Sequence, residues 1–142
     1  MKAAQNLFGI ILFSVFAAAI AASTKKIFHL SPESGEKLVE GIIKCIAKLN
    51  FDPSLINLIK EGKYFEDERL IEAIICMNVD SGVGTADGRL KLDAVMERIF
   101  SNNAEIRKGL VRCEKEYDGT PVGNLRGTLT CLKETLPFKI RL

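Results

Sequence analysis

The chain has 142 residues, and its 20 Lys and Arg nearly balance its 18 Asp and Glu, which argues against a nucleic-acid partner. Hydrophobic residues make up 47% of the sequence and only 4 residues are Pro, so we expect one compact domain with a buried core. Because His29 is the single histidine, most metal sites and His-paired nucleophiles are excluded, and we expect no catalytic residue, metal or cofactor.

Residues 1–21 have the pattern of a secretory signal peptide. A basic start at Lys2 precedes an apolar run over residues 7–22, and Ala19-Ile20-Ala21 fits a cleavage site for signal peptidase. The alternative is a membrane anchor, but this run falls short of the roughly 20 apolar residues that span a bilayer. We therefore expect a secreted, extracellular protein whose mature domain covers residues 22–142.

The four cysteines all lie in the expected mature region. Secretion places them in an oxidising compartment, where disulfides form and persist. An even count without a Cys-x-x-Cys pair or a flanking His indicates a disulfide framework rather than a zinc site. The residues concerned are Cys45, Cys76, Cys113 and Cys131, and the sequence alone allows three pairings.

Three helices are predicted in the first half of the domain. Ser31-Pro32 is a helix-start signal, and apolar residues at helical spacing follow for about 18 residues. Asp52-Pro53 starts a second, short helix that Gly62 ends. The acidic residues 66–68 start a third helix whose residues 70–77 are apolar almost all round, so we expect it to be central and buried.

The segment from Asp80 to Gly88 is rich in turn-forming residues and is the one long loop predicted in the domain. Its glycine spacing fits neither a phosphate-binding loop nor a calcium-binding loop. A fourth helix is predicted over residues 90–100. Asn102 and Glu105 then form the pattern of a capping box for a fifth helix.

A sixth helix is predicted from Thr120-Pro121 to Pro137. No alternation of apolar and polar residues persists at useful length, so strands are not expected. The predicted fold is therefore all-α, a compact domain of six short helices. Helices of this length are marginal alone, and we expect packing and two disulfides to stabilise them.

The cysteine spacing, with this helix order, resembles the insect odorant-binding and pheromone-binding protein family. Between successive cysteines lie 30, 36 and 17 residues. The resemblance covers about residues 31–136, and the segments 65–77 and 87–90 look like the stretch around the family's second and third cysteines. That family usually has six cysteines. The two missing ones would fall at Glu72 and Val122, so the chain resembles the four-cysteine branch.

This resemblance implies disulfides from Cys45 to Cys76 and from Cys113 to Cys131, and six helices that enclose a hydrophobic cavity. Any one apolar residue on an inner helix face is core by default, but together such residues can line a small-molecule pocket. In some family members the position of Asn78 carries a hydroxyl that binds the ligand; a helix C-cap is the alternative for this residue. The ligand residues implied are Leu38, Ile74, Met77, Asn78, Leu92, Met96, Leu110, Leu129 and Leu132.

The C-terminal tail has apolar residues at alternate positions, Phe138, Ile140 and Leu142. We expect it to fold back over the mouth of the cavity, with Phe138 covering the mouth and Lys139 and Arg141 facing water. The alternative is a frayed tail in which the apolar residues have no role.

The expected function is that of a secreted, non-enzymatic carrier of small hydrophobic molecules. Its expected partners are such a ligand and a membrane receptor, with no nucleic acid, and it should be a monomer or a weak homodimer. The main alternative is a secreted helical signalling or effector protein that acts through protein contacts and has no ligand cavity. A membrane-active protein is a third option, weakened by the near-neutral charge and the disulfides.

Overall fold

The computed structural model describes residues 26–114 and 119–141. The expected signal peptide, residues 1–21, lies outside this range, as does Leu142. In chain order the elements are β1 (Lys26–His29), α1 (Pro32–Lys48), a 3-10 turn (Pro53–Leu55), α2 (Ile56–Lys60), α3 (Glu68–Asp80), α4 (Leu92–Arg98), α5 (Ala104–Cys113), α6 (Pro121–Thr135) and β2 (Phe138–Arg141). The six α-helices of the described residues confirm the predicted fold class.

Most helix starts follow the predicted capping residues. The Ser31 and Thr120 side chains accept hydrogen bonds from backbone N–H groups in the first turns of α1 and α6, and each precedes a proline at the first helical position. Asp52 caps the 3-10 turn in the same way. Asp67 caps α3 by accepting from the N–H of Arg69. These starts need only neighbouring residues, which is why the sequence predicts them.

The predictions for α4 and α5 were wrong in detail. Helix α4 begins at Leu92 because Leu90 instead pairs with Gly84 across the loop that follows α3. The cap of α5 is Asn103, whose side chain accepts from the N–H of Ile106 at 3.1 Å. Asn102 has a φ of 56° and lies outside the helix, so no capping box forms between it and Glu105.

Both disulfides implied by the resemblance are present. Cys45–Cys76 joins α1 to α3, and Cys113–Cys131 joins α5 to α6. In the loop-closure account each bridge stabilises the fold by roughly 3 to 4 kcal/mol. Helix α4 carries no cysteine, so neither bridge holds it.

Helices α3 and α6 run antiparallel. Glu68, at the start of α3, pairs with Arg126 of α6 at 3.6 Å. The loop that follows α3 meets the start of α6, where a Cβ on Gly88 would overlap the carbonyl oxygen of Pro121.

This antiparallel register bears on the positions where the resemblance places the two absent cysteines. Glu72 lies one turn after Glu68 in α3, and Val122 lies one turn before Arg126 in α6. Because Glu68 and Arg126 form an ion pair, we expect this register to place Glu72 and Val122 near one another.

The buried apolar residues form three clusters. Helix α3 contributes to two of them, and its Leu70, Ile71 and Ala73 have no exposed surface, so it is central as predicted. The first cluster consists of Ile42, Cys45, Ile46, Leu55, Ile59, Leu70, Ala73 and Met77. The second consists of Val83, Val95, Met96, Ile106, Leu110, Cys113, Leu132 and Leu136. The third consists of Ile71, Ile75 and Leu125.

A short parallel sheet joins the two ends of the described chain, which the sequence did not predict. Strand β2 pairs with β1 in parallel, with Phe28 opposite Ile140. Phe138 and Ile140 are half-buried against the second cluster, while Lys139 and Arg141 are exposed. The Phe28 and Phe138 rings lie 5.5 Å apart. The alternative of a frayed tail is therefore wrong for residues 138–141.

Candidate functional site

The residues predicted to bind ligand are spread over the three clusters. Met77 belongs to the first cluster, and Leu38 packs against it. Leu129 contacts the third cluster, and Ile74 contacts the first and the third. The remaining apolar members lie in or against the second cluster, and they are Leu92, Met96, Leu110, Leu132 and Phe138. The structure thus brings half of the predicted set together around one cluster, at the end of the domain formed by α4, α5, α6 and the two strands.

A small cleft opens beside this second cluster. Its volume is about 20 Å³, which is room for about one water molecule. The start of α4, the end of α5 and the middle of α6 enclose it. The residues that line it are Leu90, Leu92, Leu110, Glu114 and Thr128.

Leu90 gives the cleft its position between two parts of the core. Its side chain contacts both the second and the third clusters. The cleft therefore lies where two apolar clusters meet. Leu90 was not among the predicted ligand residues, whereas Leu92 and Leu110 were.

Two polar residues line the cleft as well. Thr128 is buried in α6, and its hydroxyl donates a hydrogen bond to the backbone carbonyl of Asn124 at 3.1 Å. Glu114 follows the last residue of α5 and is exposed. The cleft therefore has three leucines and two groups with oxygen acceptors.

Asn124 holds the loop that carries Leu90 against α6. Its side-chain NH₂ donates to the carbonyl of Asp87 at 2.8 Å, and its side-chain oxygen accepts from the N–H of Gly119 at 3.1 Å. The side chain is 3% exposed. Sequence reasoning missed Asn124 and Thr128, although two polar residues four apart on an otherwise apolar helix face are a visible signal.

The loop between α3 and α4 contains two turns and the Gly84–Leu90 bridge, and its composition predicted a long loop rich in turns. The Asp87 carboxylate accepts a hydrogen bond from the Thr85 hydroxyl, which is the main reason that the pKa of Asp87 lies below its usual value. It also pairs with Arg89 at 3.4 Å. These contacts fix the turn immediately before Leu90.

Asn78 is buried near the end of α3 but does not line the cleft. Its backbone carbonyl accepts from the N–H groups of Val83 and Gly84. The C-cap of α3 is Ser81, so the C-cap alternative for Asn78 was wrong. A Cβ on Gly84 would lie 2.8 Å from the Cβ of Asn78, which shows how closely the loop packs on this residue.

One group of metal-ligating residue types occurs within the described ranges, at Cys45, Cys76 and Asp80. The two sulfur atoms are bonded to each other, so neither is a thiolate that could bind a metal ion. The Asp80 carboxylate pairs with Lys48 at 3.7 Å. His29 is exposed on β1, away from this group.

No described helix is long and apolar enough to cross a membrane. Comparison of the chain with protein-family models, curated proteins and solved structures found no match. The resemblance to the odorant-binding family therefore depends on the cysteine spacing, the helix order and the segments 65–77 and 87–90 of the sequence.

Proposed function

We propose that this protein is a secreted, non-catalytic carrier that binds one small hydrophobic molecule between α4, α5 and α6. The observation that carries the proposal is the cleft between Leu90, Leu92 and Leu110, where two apolar clusters meet beside two polar groups. Apolar walls with a few polar groups are the usual composition of small-molecule sites. The Cys113–Cys131 disulfide joins α5 to α6, two of the three helices around the cleft, and such bonds persist in oxidising compartments.

The cleft is too small for a whole ligand, so a ligand has to widen it. A volume of about 20 Å³ accepts one small group and not a long alkyl chain. Helix α4 is the element suited to move, since it has only 7 residues and no disulfide. We expect ligand binding to displace α4 and its preceding loop from α6 while the α5–α6 pair stays joined.

The affinity expected for such a ligand is modest. Burying about 400 Å² of apolar ligand surface contributes roughly 10 kcal/mol, from which association removes at least about 4 kcal/mol. The remainder corresponds to a dissociation constant of tens of micromolar, and the cost of opening the cleft weakens it further.

A displacement assay tests the proposal. The protein should bind a hydrophobic fluorescent probe saturably, and a long-chain alcohol should displace the probe. Leu92→Arg, which places a charge in the cleft wall, should weaken probe binding at least about tenfold. Leu38→Arg is the matched control, because Leu38 is also half-buried but contacts the first cluster. Absence of saturable binding to the folded wild-type protein would overturn the proposal.

A second candidate function is an extracellular signalling or effector protein that acts through protein contacts. The small volume of the cleft favours it, as do large apolar side chains exposed to solvent, at Ile27, Ile43, Leu49, Val79 and Val111. Under this alternative the wild-type protein binds no probe. Substitution of exposed apolar residues, and not of Leu92, would then abolish its activity on cells. A membrane receptor is the candidate partner in either case.

A further inference from the structure

Among the described residues that line the cleft, the polar side chains offer hydrogen-bond acceptors and no donors. The Thr128 hydroxyl already donates its hydrogen to the Asn124 carbonyl, so only its oxygen lone pairs face a ligand. An ionised Glu114 carboxylate is likewise an acceptor only. The other lining residues are leucines. A ligand head group placed here must therefore supply the hydrogen.

The charge at the cleft comes from Glu114. Of the described residues that line the cleft, Glu114 alone carries a charge, and it stands at the C-terminus of the ten-residue helix α5. The dipole of α5 adds negative potential at this end and favours cations over anions. Arg112 lies in the same last turn but does not line the cleft.

From these two observations, and resting on the proposed function, we infer that the carrier selects amphiphiles whose head group donates hydrogen bonds. Long-chain primary ammonium ions bind most tightly, long-chain alcohols less tightly, and fatty acids least. The ammonium group donates to Thr128 and Glu114, while the alkyl chain extends between Leu90 and Leu110. A fatty-acid carboxylate at this position has no hydrogen to donate and is repelled by Glu114.

The order is measurable with chain-matched ligands at neutral pH. We expect dodecylammonium to displace the fluorescent probe with an inhibition constant about tenfold lower than that of dodecanoate, with dodecanol between them. Equal constants for the three ligands would overturn this inference and leave the carrier function standing. If none of the three displaces a bound probe, or no probe binds, the carrier function fails and the inference with it.

Two variants assign the selectivity to residues. Glu114→Gln keeps the side-chain size and removes the charge, and should bring the constants for dodecylammonium and dodecanoate within about threefold. Glu105→Gln, an identical charge change at the other end of α5, should keep the tenfold difference. Thr128→Val keeps the side-chain shape and should weaken dodecanol binding about fivefold. If Glu114→Gln keeps the wild-type ratio, Glu114 does not set the selectivity and the inference is wrong.

Discussion

Replacing Asn124 tests whether the loop before α4 is held to α6 by a single buried side chain. Asn124→Ala removes the hydrogen bonds to the Asp87 carbonyl and the Gly119 N–H and leaves both groups without these partners. The two losses together cost about 3 kcal/mol, and the better helix propensity of Ala returns about 0.5 kcal/mol. The expected net loss in the free energy of unfolding is about 2 to 3 kcal/mol.

That loss should be visible in thermal unfolding followed by circular dichroism. For a domain of this size, 1 kcal/mol corresponds to about 4 °C, so the melting temperature should fall by about 8 to 12 °C. Asn57→Ala is the matched control, because Asn57 is exposed on α2 and its replacement should change stability by less than about 0.5 kcal/mol.

A third variant separates the two hydrogen bonds of Asn124. Asn124→Asp keeps an acceptor for the Gly119 N–H but places a carboxylate oxygen against the Asp87 carbonyl. It should destabilise the protein at least as much as Asn124→Ala. If Asn124→Ala melts within about 2 °C of the wild type, the loop is held by other contacts and the reasoning is wrong.

Three further predictions concern stability. Gly88→Ala should lower the free energy of unfolding by at least about 3 kcal/mol, because φ at Gly88 is positive and a Cβ would overlap Pro121. Gly62→Ala, at a residue with positive φ but open space around it, should lower it by about 1 to 2 kcal/mol. Equal urea-unfolding midpoints for the two variants would contradict this. The double variant Glu72→Cys, Val122→Cys should form a third disulfide and raise the melting temperature. Free thiols at both positions in the oxidised protein would show that the two positions are not neighbours. Deleting residues 138–142 should lower the melting temperature by about 8 °C, since β2 buries apolar side chains. The helical circular-dichroism signal at low temperature should persist. An unchanged melting temperature would mean that β2 adds no stability.

The helix order and most helix starts were predictable because their causes are local. Ser31 and Thr120 each precede a proline, and Asp67 stands directly before the acidic first turn of α3. The start of α5 was placed one residue too early, because Asn102 and Asn103 are equivalent as sequence signals. Which one caps the helix depends on the left-handed turn at Ser101 and Asn102.

The strands and the cleft were not predictable, because long-range packing produces them. The segment that forms β2 has apolar residues at alternate positions, but four residues are too few to indicate a strand, and its partner β1 lies at the other end of the described chain. Leu90 is flanked by basic residues and gives no sign that it joins two clusters. The cysteine pairing came from the resemblance alone, since the spacing by itself left three possibilities open.

The most direct test of the carrier function is a crystal structure of the protein with a bromine-labelled long-chain alcohol. We expect the hydroxyl to lie within hydrogen-bonding distance of Thr128 and the alkyl chain to run between Leu90 and Leu110. The bromine should then give an anomalous peak between the second and third clusters, with α4 displaced from α6. A closed cleft at saturating alcohol, or bromine bound only on the outer surface, would contradict it.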